Sequence, residues 1–284
     1  MRKHIALLVI AIIVFLPINI NALENNYENP NKVSIPLDTY TDLQKLFTTA
    51  YIDTLTQDEY DDLMDKNIDF DSVVQNKIYV RTDYNTLTGQ VINTEVSELE
   101  YNLGMPAGQY MPQASYIETS YKWLNVSVAN AGPGLAFFSS TAHWKTMPAT
   151  RSFDVIAARL SGFTKINGTQ MGKQIYTLNG TTDSVQYSWN GTNINNQSNG
   201  FGISMNLLDS NVTFLECTIN SSLTKDDYSA RVSTSYQHAV TNVTLATSKS
   251  YILEAGGLGN VIQFTGIIPS YYDGMNGVYT YLVG

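Results

Sequence analysis

The sequence predicts a mainly β protein, an antiparallel β-sandwich preceded by a small helical N-terminal subdomain. Three observations carry that expectation. From Gln113 to Gly284 apolar residues recur with a period of two, the spacing of half-buried strands. Asn167-Gly168, Asn179-Gly180, Asn190-Gly191, Asp273-Gly274 and Asn276-Gly277 punctuate this alternation; such pairs supply the positive φ that tight hairpins need. Upstream, residues 38–76 place apolar side chains at helical spacing instead.

Taken in order, the chain divides into residues 1–22, a signal peptide; 23–103, a helical and mixed subdomain; 104–112, a linker; and 113–284, the β-sandwich. Arg2, Lys3 and His4 precede an unbroken apolar run from Ile5 to Leu16, which Pro17 ends, and Ala22 offers a small residue for cleavage. A helix over that run is about 18 Å long, too short for a hydrocarbon core of roughly 30 Å. The expectation is export with no membrane span after cleavage. Asn-x-Ser/Thr triplets at Asn125, Asn167, Asn179, Asn190, Asn211 and Asn242 are read as the chance product of an Asn-rich strand protein.

Leu43, Leu46, Phe47, Ala50 and Tyr51 form one apolar stripe of a first short helix. Thr56-Gln57-Asp58-Glu59 is a capping box for a second, with Leu55 and Tyr60 placed as its hydrophobic staple. A third turn is expected near Phe70 to Val74. Extended stretches follow around Lys77–Arg81 and Gly89–Val96, and two Gly with two Pro mark residues 104–112 as a linker. About nine strand-like runs follow Gln113. In Asn211 to Ile219, Leu215, Cys217 and Ile219 share a face, so Cys217 is expected as a buried hydrophobe. The apolar side changes within Tyr116 to Val128, which suggests a bulge near Trp123.

Composition excludes several functions. Of 284 residues 43% are hydrophobic but only 14% charged, and 25 acids against 16 bases give a net charge of −9. A usual charged share is about 25%, so the surface leans on Ser, Thr, Asn and Gln. An acidic chain is not a phosphate-gripping nucleic-acid binder. One Cys permits neither a disulfide framework nor a cysteine zinc site. Asp58, Asp61, Asp62, Asp65, Asp69 and Asp71 do not match a calcium loop, and Gly256-Gly257-Leu258-Gly259 lacks the Lys-Ser/Thr of a phosphate loop. No metal and no cofactor is expected.

The best-defined constellation surrounds Met147-Pro148-Ala149-Thr150, a four-residue turn with Pro148 where fixed φ helps. Symmetric pairing about it would set Trp144 opposite Phe153 and His143 opposite Asp154. An imidazole oriented by a carboxylate can act as a general base. No Gly-x-Ser-x-Gly elbow and no His-Glu-x-x-His motif accompanies the pair, and Ser139 and Ser152 are nucleophile candidates by proximity alone. No catalytic set is therefore assigned, His143 and Asp154 stay as candidates, and an enzyme is not the preferred reading. His238 alternates with Val232, Thr234, Tyr236 and Val240, as a hydrogen-bonded core histidine would. Trp123, Trp144 and Trp189 fall in strand-like segments and are the candidate ligand-binding residues, since exposed rings on a sheet can stack on sugars.

Leu55-Thr56-Gln57-Asp58-Glu59-Tyr60 through Leu63, leading to Gly89-Gln90-Val91-Ile92, and Trp144-Lys145-Thr146-Met147-Pro148-Ala149-Thr150-Arg151-Ser152-Phe153-Asp154 resemble stretches of a group of uncharacterised secreted proteins of Gram-positive bacteria. The resemblance implies short N-terminal helices followed by a β domain, and it brings no activity. The expected function is a secreted, non-catalytic module whose partner is a cell-surface polysaccharide or protein. One alternative is a pore-forming or membrane-active protein, because Val185, Tyr187 and Trp189, then Ile203, Met205 and Leu207, alternate as in a membrane hairpin. The other is a hydrolase using His143 and Asp154.

Overall fold

The computed structural model describes residues 25–85, 87–104, 117–208, 211–254, 261–266 and 271–283. The signal segment, the linker beyond Gly104 and Gly256–Gly259 lie outside them. The first hairpin, β1 (Asn26–Glu28) and β2 (Ser34–Pro36), leads into α1 (Leu37–Leu43), α2 (Thr49–Asp53), α3 (Gln57–Met64) and a 3₁₀ turn at Phe70–Ser72. Then come β3 (Val74–Asn85), β4 (Val91–Val96), α4 (Glu98–Leu103), β5 (Ile117–Asn130), β6 (Leu135–Trp144), β7 (Phe153–Ser161), β8 (Phe163–Lys165), β9 (Met171–Leu178) and β10 (Thr181–Ser188). The remainder is β11 (Ile194–Gln197), β12 (Gly200–Asn206), β13 (Val212–Lys225), β14 (Ser229–Ala239), α5 (Leu245–Ser248), β15 (Tyr251–Leu253), β16 (Ile262–Phe264) and β17 (Tyr272–Val283).

These strands build two large antiparallel sheets. The larger has the order β10-β9-β13-β6-β5-β3-β4, with β8 also on β13; the smaller runs β11-β12-β7-β14-β17. The sandwich core forms where alternate residues of the two sheets meet. Leu124, Val126, Phe138, Leu215 and Ile219 of the larger sheet pack with Ile156, Phe201, Ile203, Val232 and Tyr236 of the smaller. Each such side chain contributes about 1.5–3 kcal/mol when fully buried.

The helices cover the outer face of the larger sheet, where Leu43, Leu46, Phe47, Tyr51, Ile52 and Leu55 pack on Ala129, Phe137 and Ile175. The capping box is present: Thr56 accepts from the Glu59 backbone and Glu59 accepts from the Thr56 backbone. The first expected helix is two helices, because Thr48 turns the chain and caps α2 by accepting from Tyr51 N at 3.1 Å. Beneath this cover the Lys173 ammonium meets Glu59 at 2.7 Å and donates to Thr54 O at 3.0 Å.

Several local expectations change. The extended stretches expected around Lys77–Arg81 and Gly89–Val96 are present as β3 and β4, and both join the larger sheet, where β3 pairs with β5 from Val74 to Asn85. No register shift occurs at Trp123; β5 is covered on both faces, so its apolar residues need not keep to one side. Asn179-Gly180 does turn the β9–β10 hairpin, with φ of 52° and 80°. Asp273-Gly274 and Asn276-Gly277 instead lie inside β17. There Tyr236 opposes Met275 while Thr234 opposes Val278, so β17 carries one extra residue, a bulge.

The outer face of the smaller sheet is covered in part by a strap that includes β15 and β16, where Tyr251, Leu253, Val261 and Ile262 pack on Val155 and Ala157. Side-chain amides hold its leading edge: Asn195 donates to Lys249 O, Gln197 to Tyr251 O and Asn199 to Leu253 O, at 3.0, 3.1 and 2.7 Å. Gly202 lies under the strap, where a Cβ would come within 2.6 Å of Ala157 Cβ and overlap the Tyr251 hydroxyl. Gly202→Ala should therefore destabilise the protein by about 1–3 kcal/mol, the usual cost of overpacking, measurable by urea denaturation. An unchanged midpoint would show that the strap is not seated there.

Candidate functional site

A polar seam crosses the sandwich at one end. Strand β14 turns Thr234, Tyr236 and His238 toward the larger sheet by simple alternation. Strand β17 needs its bulge to do the same. Val278, Thr280 and Leu282 face inward beyond it, and the extra residue reverses parity so that Met275 and Asp273 also face inward.

Asp154 of β7 is fully buried and accepts from three donors. His238 Nδ1 lies 3.0 and 2.9 Å from its two oxygens, Ala239 N donates at 2.9 Å, and the Tyr236 hydroxyl completes the set. Tyr236 in turn accepts from Trp144 Nε1 at 2.9 Å, a bond between the sheets. Burial and the Asp154 charge push the Tyr236 hydroxyl well above its ordinary pKa, so it remains a donor. Burial, with Asp154 nearby, also raises the Cys217 thiol well above its ordinary range. Cys217 is thus the buried hydrophobe expected, without thiolate reactivity.

Beside this group, fully buried Lys122 donates to Asp273 at 2.6 Å and lies 4.9 Å from the Trp144 ring centre. Asn93 also donates to Asp273, and Thr82 donates to Asn93 at 2.6 Å. Burial alone would raise the Asp273 carboxyl. The Lys122 charge, with hydrogen bonds from Lys122 and Asn93, overrides that and holds it below the usual range.

Over the seam opens a cleft of about 180 Å³. Strands β3 and β5 supply Thr82, Tyr84, Glu118 and Ser120 to its wall, the β6–β7 connection supplies Met147, Pro148 and Thr150, and His238, Trp144 and Asp273 line it below. The arrangement offers fixed donors and acceptors beside an aromatic wall, which suits recognition of a polar ligand. Among the described residues no group of three or more His, Cys, Asp or Glu is placed to hold a metal ion.

The structure separates the expected pair His143 and Asp154. The Met147–Thr150 turn does not close a hairpin; it carries the chain from β6 in the larger sheet to β7 in the smaller. Ser152 and Thr150 anchor the crossing to Val243 and Val240. A proline turn fits either connection, and the sandwich takes the second. Trp144 accordingly opposes Leu215 and Lys122, not Phe153. His143 lies on the outer face of the larger sheet, stacked on Trp123 at 5.1 Å, with Nδ1 3.2 Å from Glu216 Oε1 but off the line of a hydrogen bond. Glu216 accepts from Thr48 of the helical cover at 2.6 Å. The imidazole that does meet Asp154 belongs to His238, and the signal was available: His238 shares a strand face with Tyr236.

The three tryptophans do not share a face. Trp144 is buried between the sheets, Trp123 lies under the opposite face between His143 and the Lys77 ammonium, and Trp189 follows edge strand β10, 46% exposed. Ser139 is buried on the outer face of the larger sheet, while Ser152 serves the crossing.

Two outcomes follow. Lys122→Met leaves the Asp273 charge buried and unpaired and should cost about 3–5 kcal/mol, whereas Lys122→Met with Asp273→Leu should recover most of that loss. Equal losses in both would refute the pairing. Because the Asp273 carboxyl is held low, its stabilising contribution is complete above the unfolded value of about 3.9 and is lost as pH falls through the folded value. Thermal denaturation should show a shallower acid decline for Asp273→Asn than for the native chain.

No protein-family model matches this chain, and no curated protein sequence matches it. Among solved structures it has a distant similarity to Clostridium perfringens delta-toxin, at 9% sequence identity and a TM-score of 0.23, covering 42% of this chain and 74% of that one.

Proposed function

We propose that the protein is exported and acts as a non-catalytic recognition module, binding a polyhydroxylated cell-surface ligand, a polysaccharide, in the cleft at the end of the sandwich. The observation that carries this reading is the convergence there of hydroxyls (Thr82, Ser120, Thr150), a carboxyl (Glu118) and the Tyr84 ring. The groups below them are held in place by hydrogen bonds, so binding orders little that is not already ordered. Export rests on the basic start and short apolar run of residues 1–22. Among the described residues no helix is long and apolar enough to cross a membrane.

The protein should be retained on immobilised cell-wall polysaccharide or on members of a glycan array. Ser120→Trp, which fills the cleft, should weaken that retention about tenfold or more while leaving the thermal midpoint nearly unchanged. Blank arrays, or equal retention of the filled variant, would reject the proposal.

A second reading, a membrane-active protein, is favoured by one feature of the larger sheet. Along β5, β6 and β13 one face carries Leu124, Val126, Phe138, Ala142, Cys217 and Ile219, and the other Asn125, Ser127, Ser139, Thr141, Thr218 and Asn220. A strand crossing lipid at a tilt needs about 9–11 residues with this alternation, and β5 and β13 have 14 each. Such a role would require the sheet to part from its partner. Dye release from liposomes of several lipid mixtures at micromolar protein is the expected result, and intact liposomes in every mixture would remove the reading.

A further inference from the structure

Beyond the strap, the outer face of the smaller sheet is basic in a chain of net charge −9. Arg159 of β7 opposes Ser233 of β14, and Arg231 of β14 opposes Ser161 of β7, so the two arginines are diagonal neighbours on one face. Tyr281 of β17 opposes Arg231, and Tyr279 is two residues along. The Arg231 guanidinium lies 5.7 and 5.8 Å from the ring centres of Tyr279 and Tyr281. Both arginines are part-exposed, and Tyr281 is 41% exposed.

Neither arginine has a carboxylate within salt-bridge distance among the described residues, whereas Arg81 pairs with both Asp83 and Glu100. In the β13–β14 connection Asp226 accepts from Thr164 and Asp227 from Ser229 N. The Arg159 Nε–H is buried, with no acceptor among the described residues, so any contact with a ligand falls to the terminal N–H groups of the guanidinium. Two arginines at diagonal positions of one face, neither with a carboxylate partner among the described residues, offer the chemistry that grips a tetrahedral oxyanion, because each guanidinium can present two parallel N–H groups. The flanking tyrosines hold Arg231 by ring contact and take no charge from it.

We propose that Arg159 and Arg231, flanked by Tyr279 and Tyr281, form a phosphate-binding site on the outer face of the smaller sheet, separate from the cleft. The ligand class is a phosphate group, carried either by the free ion or by a lipid headgroup. Such a site accounts for two part-exposed arginines on one face with no carboxylate at salt-bridge distance among the described residues. Ser161, exposed beside Arg231, is where a carboxylate would enter if the arginines needed only neutralising, and the sequence places none there.

The test is thermal denaturation of the full chain with inorganic phosphate against chloride at matched ionic strength. A saturable rise in midpoint with phosphate alone is expected, since a ligand that binds only the folded state stabilises it. Arg231→Gln should abolish the rise and Arg231→Lys should weaken it about tenfold or more. In case Arg231→Gln loses packing, Ser161→Glu sets a carboxylate beside Arg231 and should abolish the phosphate response while keeping the native midpoint. A rise equal in phosphate and chloride, or a phosphate response unaltered in Ser161→Glu and Arg231→Gln, would overturn the proposal and leave an adventitious ion only. Co-sedimentation with vesicles of phosphatidylglycerol in phosphatidylcholine, lost in Ser161→Glu, assigns the phosphate to a headgroup. A phosphate response without co-sedimentation assigns the free ion. Neither result depends on the cleft, and Ser120→Trp should leave both unchanged.

Discussion

The buried ion pair between Lys122 and Asp273 is the constraint on which the rest of this end of the molecule depends. Each charge comes from a different sheet, and each would be ruinous alone in a low-dielectric interior. Their pairing therefore fixes the relative placement of β5 and β17 far more sharply than apolar contact does, since oily surfaces tolerate sliding and a short ion pair does not. Trp144 lies against Lys122 and reaches Tyr236 in the other sheet, so the second polar group, Asp154 with His238, is placed by the same coincidence of registers. The cleft above is a consequence: its floor is engaged in hydrogen bonds, Thr82 and Thr150 are fixed by Asn93 and Val240, and Tyr84, Glu118 and Ser120 complete the wall.

The larger sheet is unusual in being buried on a polar face. Ser127, Ser139, Thr218 and Asn220 lie beneath the helices, where hydroxyls and amides satisfy one another and the cover: Thr141 bonds Thr218 at 2.9 Å, and Asn220 donates to the Tyr51 hydroxyl at 3.1 Å. Such contacts add little net stability each, about 0.5–1.5 kcal/mol, but leaving one unmade costs more. The helical cover is thus held by specificity of contact as much as by its apolar stripe.

Much of the fold was legible because it is local. Period-two alternation announces the strands, Thr56 to Glu59 announces α3, and Asn179-Gly180 announces a hairpin. What was not legible depends on which strands become neighbours. The turn at Pro148 is compatible with a hairpin and with a crossing between sheets, and only the arrangement of all strands decides between them, so the partner of Asp154 was misassigned to His143. The Asp-Gly and Asn-Gly pairs near the C-terminus have the composition of turns, yet the long ladder with β14 absorbs them. His238 was correctly placed on an inward face, but its carboxylate lies 84 residues away in sequence and no spacing rule reaches that far.

The extra residue in β17 makes chain length itself part of the site's specification. Shortening the stretch between Met275 and Val278 by one position would leave the remaining side chains chemically intact and yet turn Asp273 to the outer face of the smaller sheet, where Tyr272 now packs on Phe264, stranding Lys122 between the sheets. Relatives that share the fold but differ by a single insertion or deletion there would therefore be expected to have exchanged Lys122 for a neutral residue, a coupled change invisible to any comparison of residue types alone.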